Sequence, residues 1–299
     1  MTRIKRGYIS AILAVFFWSL NVLIAQGAVG HLRPIELSFG RWFFALLILM
    51  PLGWRGLKKH KNYLFKHWRW VLGLALSGIV LDNTLIYIAA HTVTAVNLSL
   101  LNLLGPIFLA LLTFLFLKQK ISKIQLLGIG IAVFGVLIVL SRGNLGNITK
   151  MQLAIGEFWI ILNAFCFAVY SFLQLRRPHF ISQTTLLSAT ALTGGIILLP
   201  FFIIFNSSHL FHLTLLDYLL FAYLGLFNSV IAYLSWNTAL SLLGPLKTGI
   251  IYYFQPLFSA IGALIVFGNP IGLSQIIGGL IIIIGVYLVN RYQNNQKKP

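Results

Sequence analysis

Apolar residues in this chain neither alternate nor recur in narrow stripes; they come in long, nearly unbroken runs. The runs lie near residues 7–27, 34–52, 69–90, 93–117, 121–141, 152–174, 181–205, 213–241, 246–268 and 271–290. Each is about as long as the ~20 residues a helix needs to cross a bilayer. An outer-membrane barrel would show short alternating strands instead. The pattern predicts an all-α polytopic membrane protein with ten transmembrane helices. The first run follows Arg3, Lys5 and Arg6. It is longer than a signal-peptide core, contains Trp18 and Asn21, and is followed by further spans, so it is expected to be retained.

Composition agrees: of 299 residues, 59% are hydrophobic and 9% charged. Soluble domains carry about a quarter charged residues. Lys and Arg number 22 against 4 Asp and Glu, a net charge of +18. That surplus would suit a nucleic-acid partner, but it is scattered over short connections and forms no groove, so no nucleic acid is expected. Sorted by connection, one side holds Arg3, Lys5, Arg6, Arg55, Lys58, Lys59, Lys61, Lys66, Arg69, Lys118, Lys120, Lys123, Arg176, Arg177, Lys247, Arg291, Lys297 and Lys298. The other side holds Arg33, Arg142 and Lys150, and Arg41 falls inside a span. By the positive-inside rule both termini are cytoplasmic, in a multi-pass protein of the cell (inner or plasma) membrane, and the basic side faces anionic lipid. The lone Cys166 allows neither an internal disulfide nor a thiolate metal site, and no cofactor or metal is expected.

The chain repeats itself. Pro106-Ile107-Phe108-Leu109-Ala110 corresponds to Pro256-Leu257-Phe258-Ser259-Ala260. In the same register, Gln125, Gly128, Ile131, Gly135 and Val136 correspond to Gln275, Gly278, Ile281, Gly285 and Val286. The offset is 150 residues without a gap, dividing the chain into 1–146 and 147–299. Five spans per copy is an odd number, so the second copy must be inverted. The charges agree: Lys118, Lys120 and Lys123 correspond to Gly268, Pro270 and Leu273, and the basic connection 55–69 corresponds to 205–212, without Lys or Arg. Two inverted five-helix repeats form a carrier architecture with its substrate site near the midplane. The alternative is a duplicated scaffold that transports nothing.

With those residues in view, the chain resembles the drug/metabolite transporter superfamily, in its EamA-type branch. Trp18-Ser19-Leu20-Asn21 is similar to the family's first-helix element, and Arg41 sits where the family carries an Arg in its second helix. Ala232 to Leu240 (AYLSWNTAL) is similar to the eighth helix, and the two Pro-to-Gly blocks resemble the ends of the duplicated domain. Gln119 and Asn269 stand where relatives often have Glu, and Phe167 where the second half often repeats the Trp. The resemblance implies a ten-helix carrier, not an enzyme. Family members carry amino acids, sugars, nucleotide derivatives or cationic drugs, by uniport, exchange or proton coupling, with the fifth and tenth helices bracing the bundle.

Ionisable groups in lipid are expensive, and each is a functional candidate. Asp82 is a candidate proton-coupling carboxylate or counter-charge for a cationic substrate; its alternative is a structural hydrogen bond or an ion pair with Arg41. Arg41 is a candidate for holding a substrate carboxylate, or for pairing with Glu36 or backbone carbonyls. Glu36, Glu157 and Asp217 are expected at solvated helix ends. The neutral candidates for the substrate site are Trp18, Asn21, Asn83, Tyr87, Asn97, Asn102, Asn163, Trp236, Asn237, Tyr252, Tyr253 and Gln255. Trp159, Asn163, Phe167 and Tyr170 form one stripe, and Ser229, Tyr233, Trp236 and Asn237 another. Amides, hydroxyls and ring faces with few charges suit an amino acid or related zwitterion or weak cation. Efflux is the expected direction and alternating access the expected mechanism. A quaternary-ammonium drug or nucleoside-type carrier of the same fold is the alternative. Pro106 and Pro256 lack an amide hydrogen and are candidate gating hinges, with a static kink as the alternative. Gly128 with Ala132, and Gly278 with Gly285, are expected to allow close helix approach. Partners beyond substrate and bilayer are protons and a second copy, a homodimer through the glycine-bearing last helices.

Overall fold

The computed structural model describes residues 3–117, 122–141, 155–206, 213–268 and 270–293. Lys118, Gln119, Lys120, Arg142, Lys150, stretch 207–212, Asn269, Lys297 and Lys298 lie outside the described residues, as do the side chains of Gln125, Val286 and Arg291. Among the described residues there is no strand. Eight helices are long and apolar enough to cross a membrane: α1 (Arg3–Gly27), α2 (Pro34–Lys66), α3 (Trp68–Ala89), α4 (Ala95–Phe116), and, after α5, α6 (Ile155–Gln174), a helix beginning at Gln183, and two between Leu215 and Phe267. Among the described residues the series continues with α5 (Lys123–Leu140), α7 (Gln183–Asn206), α8 (Leu215–Pro245), α9 (Lys247–Phe267) and α10 (Leu273–Gln293). Within α5 and α10 the apolar stretches, Leu126–Val139 and Leu273–Gly285, are shorter.

Local chemistry sets the boundaries. Pro34 opens α2, where its missing N–H is no loss, and the backbone N–H of Arg33 donates to the Glu36 carboxylate at 2.7 Å. Thr214 and Asp217 cap α8 reciprocally. Gly244 divides α8 from α9 at φ +78°, and Gly268 ends α9 at φ +64°, a left-handed backbone that glycine alone adopts freely. Glu36 and Asp217, expected at solvated ends, are buried: Glu36 Oε2 and Asp217 Oδ2 are engaged in these caps, and Asp217 also accepts from His31 at 2.8 Å.

The basic segment 55–69 is not the loose connection expected. α2 continues helically past Pro51 to Lys66, and α3 starts two residues later. Lys and Arg are good helix formers. Gly53 and Gly56 also let this part of α2 lie hard against α7: a Cβ there would come within 2.0 Å of Ser188 Oγ and 1.9 Å of Thr185 Oγ1.

Two features recur at the 150-residue offset. Both α3 and α8 contain a π-helical stretch, Leu76–Leu81 and Leu224–Ile231, whose last residues lie 150 apart. The helical ladder also breaks at Leu103 and at Tyr253, again 150 apart, three residues before Pro106 and Pro256. Each proline removes the N–H that would take the carbonyl four residues back, at Asn102 and Tyr252.

Packing joins the sequence halves. α1 lies on α8 and α9, α6 correspondingly on α3 and α4, α2 on α7, and α5 on α10. In the α5–α10 pair, a Cβ on Gly135 would sit 2.8 Å from the Gly278 carbonyl, and one on Gly278 2.9 Å from the Gly135 carbonyl. A Cβ on Gly285 would sit 2.4 Å from Ala132 N and 2.6 Å from the Gly128 carbonyl. The small residues expected to permit close approach are thus where two backbones meet. Around the outside, large apolar side chains such as Leu47, Ile204, Leu219 and Ile265 stand exposed, the surface a lipid environment accepts.

Candidate functional site

The paired π-helical stretches organise the centre. A π turn leaves a carbonyl without its helical partner, and here Gly78 and Asn228, 150 residues apart, present carbonyls that receive donors from the other half of the chain. The Gly78 carbonyl accepts from Asn83 Nδ2 at 2.9 Å and from the Tyr233 hydroxyl. The Asn228 carbonyl accepts from Arg41 Nη2 at 2.7 Å and from Trp18 Nε1 at 3.3 Å. Each exposed carbonyl is therefore satisfied from the other half of the chain.

Arg41 is fully buried and held on several sides. Nε donates to Ser229 Oγ at 2.6 Å, and Nη1 to Asn21 Oδ1 at 3.3 Å and to the Tyr87 hydroxyl at 3.2 Å. Tyr87 in turn donates to Asn21 at 2.8 Å. Of the partners considered for Arg41, a backbone carbonyl is found, and no ion pair with Asp82 within 4 Å exists among the described residues.

Asp82 follows the π stretch of α3 and accepts from both halves' polar stripes. Asn163 Nδ2 donates to its Oδ1 at 3.1 Å and also to its main-chain carbonyl; the Tyr233 hydroxyl lies 2.9 Å from its Oδ2, the one hydroxyl hydrogen being shared between this oxygen and the Gly78 carbonyl. Asn83 Nδ2 lies 3.1 Å from the same hydroxyl.

Beside this network is a hollow of about 30 Å³. It is lined by Trp18, Asn21, Arg41, Asp82, Asn83, Ile86 and Asn102 from the first half, and Asn163, Phe167, Tyr252 and Gln255 from the second. The rings of Trp18 and Phe167 meet edge to face at 5.1 Å, and Phe167 stacks on Tyr252 at 5.6 Å. Trp236 backs them at 5.3–5.5 Å, its Nε1 donating to Ser171 Oγ.

Nine of the sequence-derived candidates thus converge on one cavity. Others stand apart from its lining. Tyr87 supports Arg41 from behind. Asn237 pairs with Tyr170 at 2.8 Å. Tyr253 sits at the helix break. Asn97 accepts from Gln275 Nε2 at 2.7 Å, tying α4 to α10 at the bundle's edge. Pro106 and Pro256 are buried just beyond the breaks they cause. Ile86, Asn228, Ser229 and Tyr233 were not among the candidates for the site. Ser229 and Tyr233 were legible as a stripe; Asn228 carried no signal except its correspondence to Gly78.

Searches against known proteins match the whole architecture. The model of the "EamA-like transporter family" matches residues 5–141 and again 154–291. The chain belongs to the EamA-like transporter family. It is 29% identical over 287 residues to the uncharacterized transporter YyaM of Bacillus subtilis (strain 168), covering 93% of this chain and 92% of that protein. It is also 29% identical over 286 residues to an uncharacterized transporter of Archaeoglobus fulgidus, covering 94% and 96%. A crystal structure 16% identical aligns with a TM-score of 0.67 over 98% of this chain and 99% of its own, a likeness of fold. This EamA-like chain is accordingly a multi-pass membrane protein of a transporter family, and the two matched segments each carry one π stretch and one proline break.

Proposed function

We propose that this protein carries a small amine-bearing metabolite, an amino acid or a related zwitterion or weak cation, out of the cell by alternating access through the central hollow. The observation that carries the reading is the convergence of buried polar side chains from both halves on one cavity. At about 30 Å³ the hollow admits a water-sized group but no metabolite, so the described state is read as closed and transport as its opening to one side at a time. The breaks at Leu103 and Tyr253, ahead of Pro106 and Pro256, are the proposed hinges.

The architecture is read as ten spans in two inverted sets, with α5 and α10 counted as spans. Contacts support it. Gly7, near the start of α1, packs against Leu243, whereas Gly156, at the start of α6, packs against Thr92 and Val93 at the opposite end of the helices. α2 and α7 run antiparallel, Arg33 reaching the Phe205 carbonyl at one end and Gly53 meeting Ser188 at the other. The end bearing Arg55, Lys58, Lys59, Lys61, Arg176 and Arg177 is assigned to the cytoplasm, with both termini.

Purified protein in vesicles, preloaded with unlabelled amino acids and amines, tests the function by counterflow. Accumulation of at least one labelled solute above empty vesicles is expected. Absence of flux for the whole panel would favour a scaffold. Asp82 is the proposed coupling group: Asp82→Asn is expected to flatten the pH dependence of flux, and an unaltered profile would remove protons from the mechanism.

A further inference from the structure

The cavity's lining is unequally supplied with donors and acceptors. Three side-chain amide oxygens around it, on Asn102, Asn163 and Gln255, are buried and receive no hydrogen bond. These residues are only 5%, 1% and 1% exposed. The orientation of Asn163 is fixed, because its Nδ2 is committed to Asp82. A buried polar atom without a partner is costly and rare enough to need a reason. Asp82 adds a carboxylate, an acceptor when ionised. Arg41 lines the same hollow, but four of its five N–H donors are directed at the neutral groups Ser229, Asn21, Tyr87 and the Asn228 carbonyl.

The unpartnered buried side-chain atoms of the lining are all acceptors, and most of the guanidinium's donors are held by protein groups. The hollow asks for N–H donors. The faces of Trp18, Phe167 and Tyr252 complete the wall, and ring faces attract cations. The cavity, about 30 Å³, has room for a water-sized group such as an ammonium head group. A trimethylated ammonium is bulkier and has no N–H to offer the three oxygens.

We propose that the hollow binds the primary ammonium group of the carried solute, held by the Asp82 carboxylate and the amide oxygens of Asn102, Asn163 and Gln255. This rests on the carrier reading above and narrows its substrate class: the amine is recognised, and a carboxylate on the same solute is not gripped by Arg41.

The test is binding to the purified full-length protein, by calorimetry and thermal shift, of three probes with one carbon skeleton: n-butylamine, butyltrimethylammonium and butyrate. Butylamine is expected to bind at least tenfold more tightly than either of the others. Asp82→Asn should weaken it at least tenfold and Gln255→Leu severalfold. Asn102→Asp, which keeps the side chain's shape and adds charge, should tighten it, so that the idea does not depend on variants that misfold. Binding of butyrate or butyltrimethylammonium as tight as the amine, no binding of any probe at 10 mM (about the ceiling for a meaningful Kd), or amine affinity untouched by both Asp82→Asn and Gln255→Leu would each overturn it. The two readings fail separately. If vesicles carry an amine-free solute while butylamine does not bind, the ammonium site is wrong and the carrier stands. If butylamine binds as described but nothing crosses the membrane, the site stands and the carrier is wrong.

Discussion

The α5–α10 pair and the central hollow are built from the same 150-residue repeat, yet they treat it oppositely. At the pair, corresponding positions keep their residue: Gly128 matches Gly278 and Gly135 matches Gly285, and backbones touch at all four. At the hollow, corresponding positions have diverged: Gly78 against Asn228, Asp82 against Ala232, Asn83 against Tyr233, Asn102 against Tyr252, Gly105 against Gln255. Even where a contact is repeated its residues are exchanged, Asn21 with Tyr87 on one side and Tyr170 with Asn237 on the other. Close packing of two backbones makes the same demand on both partners. Holding one small unsymmetrical solute does not, since only one side need supply the carboxylate. Scaffold and site are thus told apart by whether the repeat survives.

That contrast can be broken by mutation. Arg41→Ala should have the largest effect on stability, roughly 3–5 kcal/mol, because it removes buried donors from the Asn228 carbonyl, Ser229 and Asn21 at once. Thermal unfolding in detergent checks it, and a loss under 1 kcal/mol would show that Arg41 does not join the halves. Gly285→Ala should cost about 1–3 kcal/mol by forcing α5 from α10. Butylamine affinity of the folded fraction should be unchanged; a shift in affinity would mean that pair and hollow are not separable. Tyr233→Phe removes the one hydroxyl hydrogen shared by Asp82 and the Gly78 carbonyl, and should cost about 1–2 kcal/mol while altering amine affinity. Asn97→Ala, at the edge contact with Gln275, should stay within about 0.5 kcal/mol and leave affinity alone.

How far the sequence could be read follows from the same contrast. The Pro-to-Gly register pointed to α4, α5, α9 and α10 and to the glycine contacts, because a retained repeat is visible as letters. Asp82 stood out as an acid deep in an apolar run. Asn97 and Asn102 looked alike, but five residues apart on a helix they point in different directions, and only Asn102 reaches the hollow. Asn228 and Tyr233 were harder to place because the π stretches add a residue to the turn and rotate all that follows, which a regular helical period does not anticipate. Residues 55–66 read as a connection because charge and two glycines interrupt the apolar run; the glycines instead serve the contact with Ser188 and Thr185.

The claim beneath the rest is that the second half enters the membrane from the side opposite the first. Lys5 and Ile155 occupy corresponding places at the starts of α1 and α6. With Cys166 replaced by Ser, single cysteines at these two positions can be probed in sealed cells and in inverted vesicles with a membrane-impermeant thiol reagent. Lys5→Cys should react only in inverted vesicles and Ile155→Cys only in intact cells; reaction of both from one side would contradict the account.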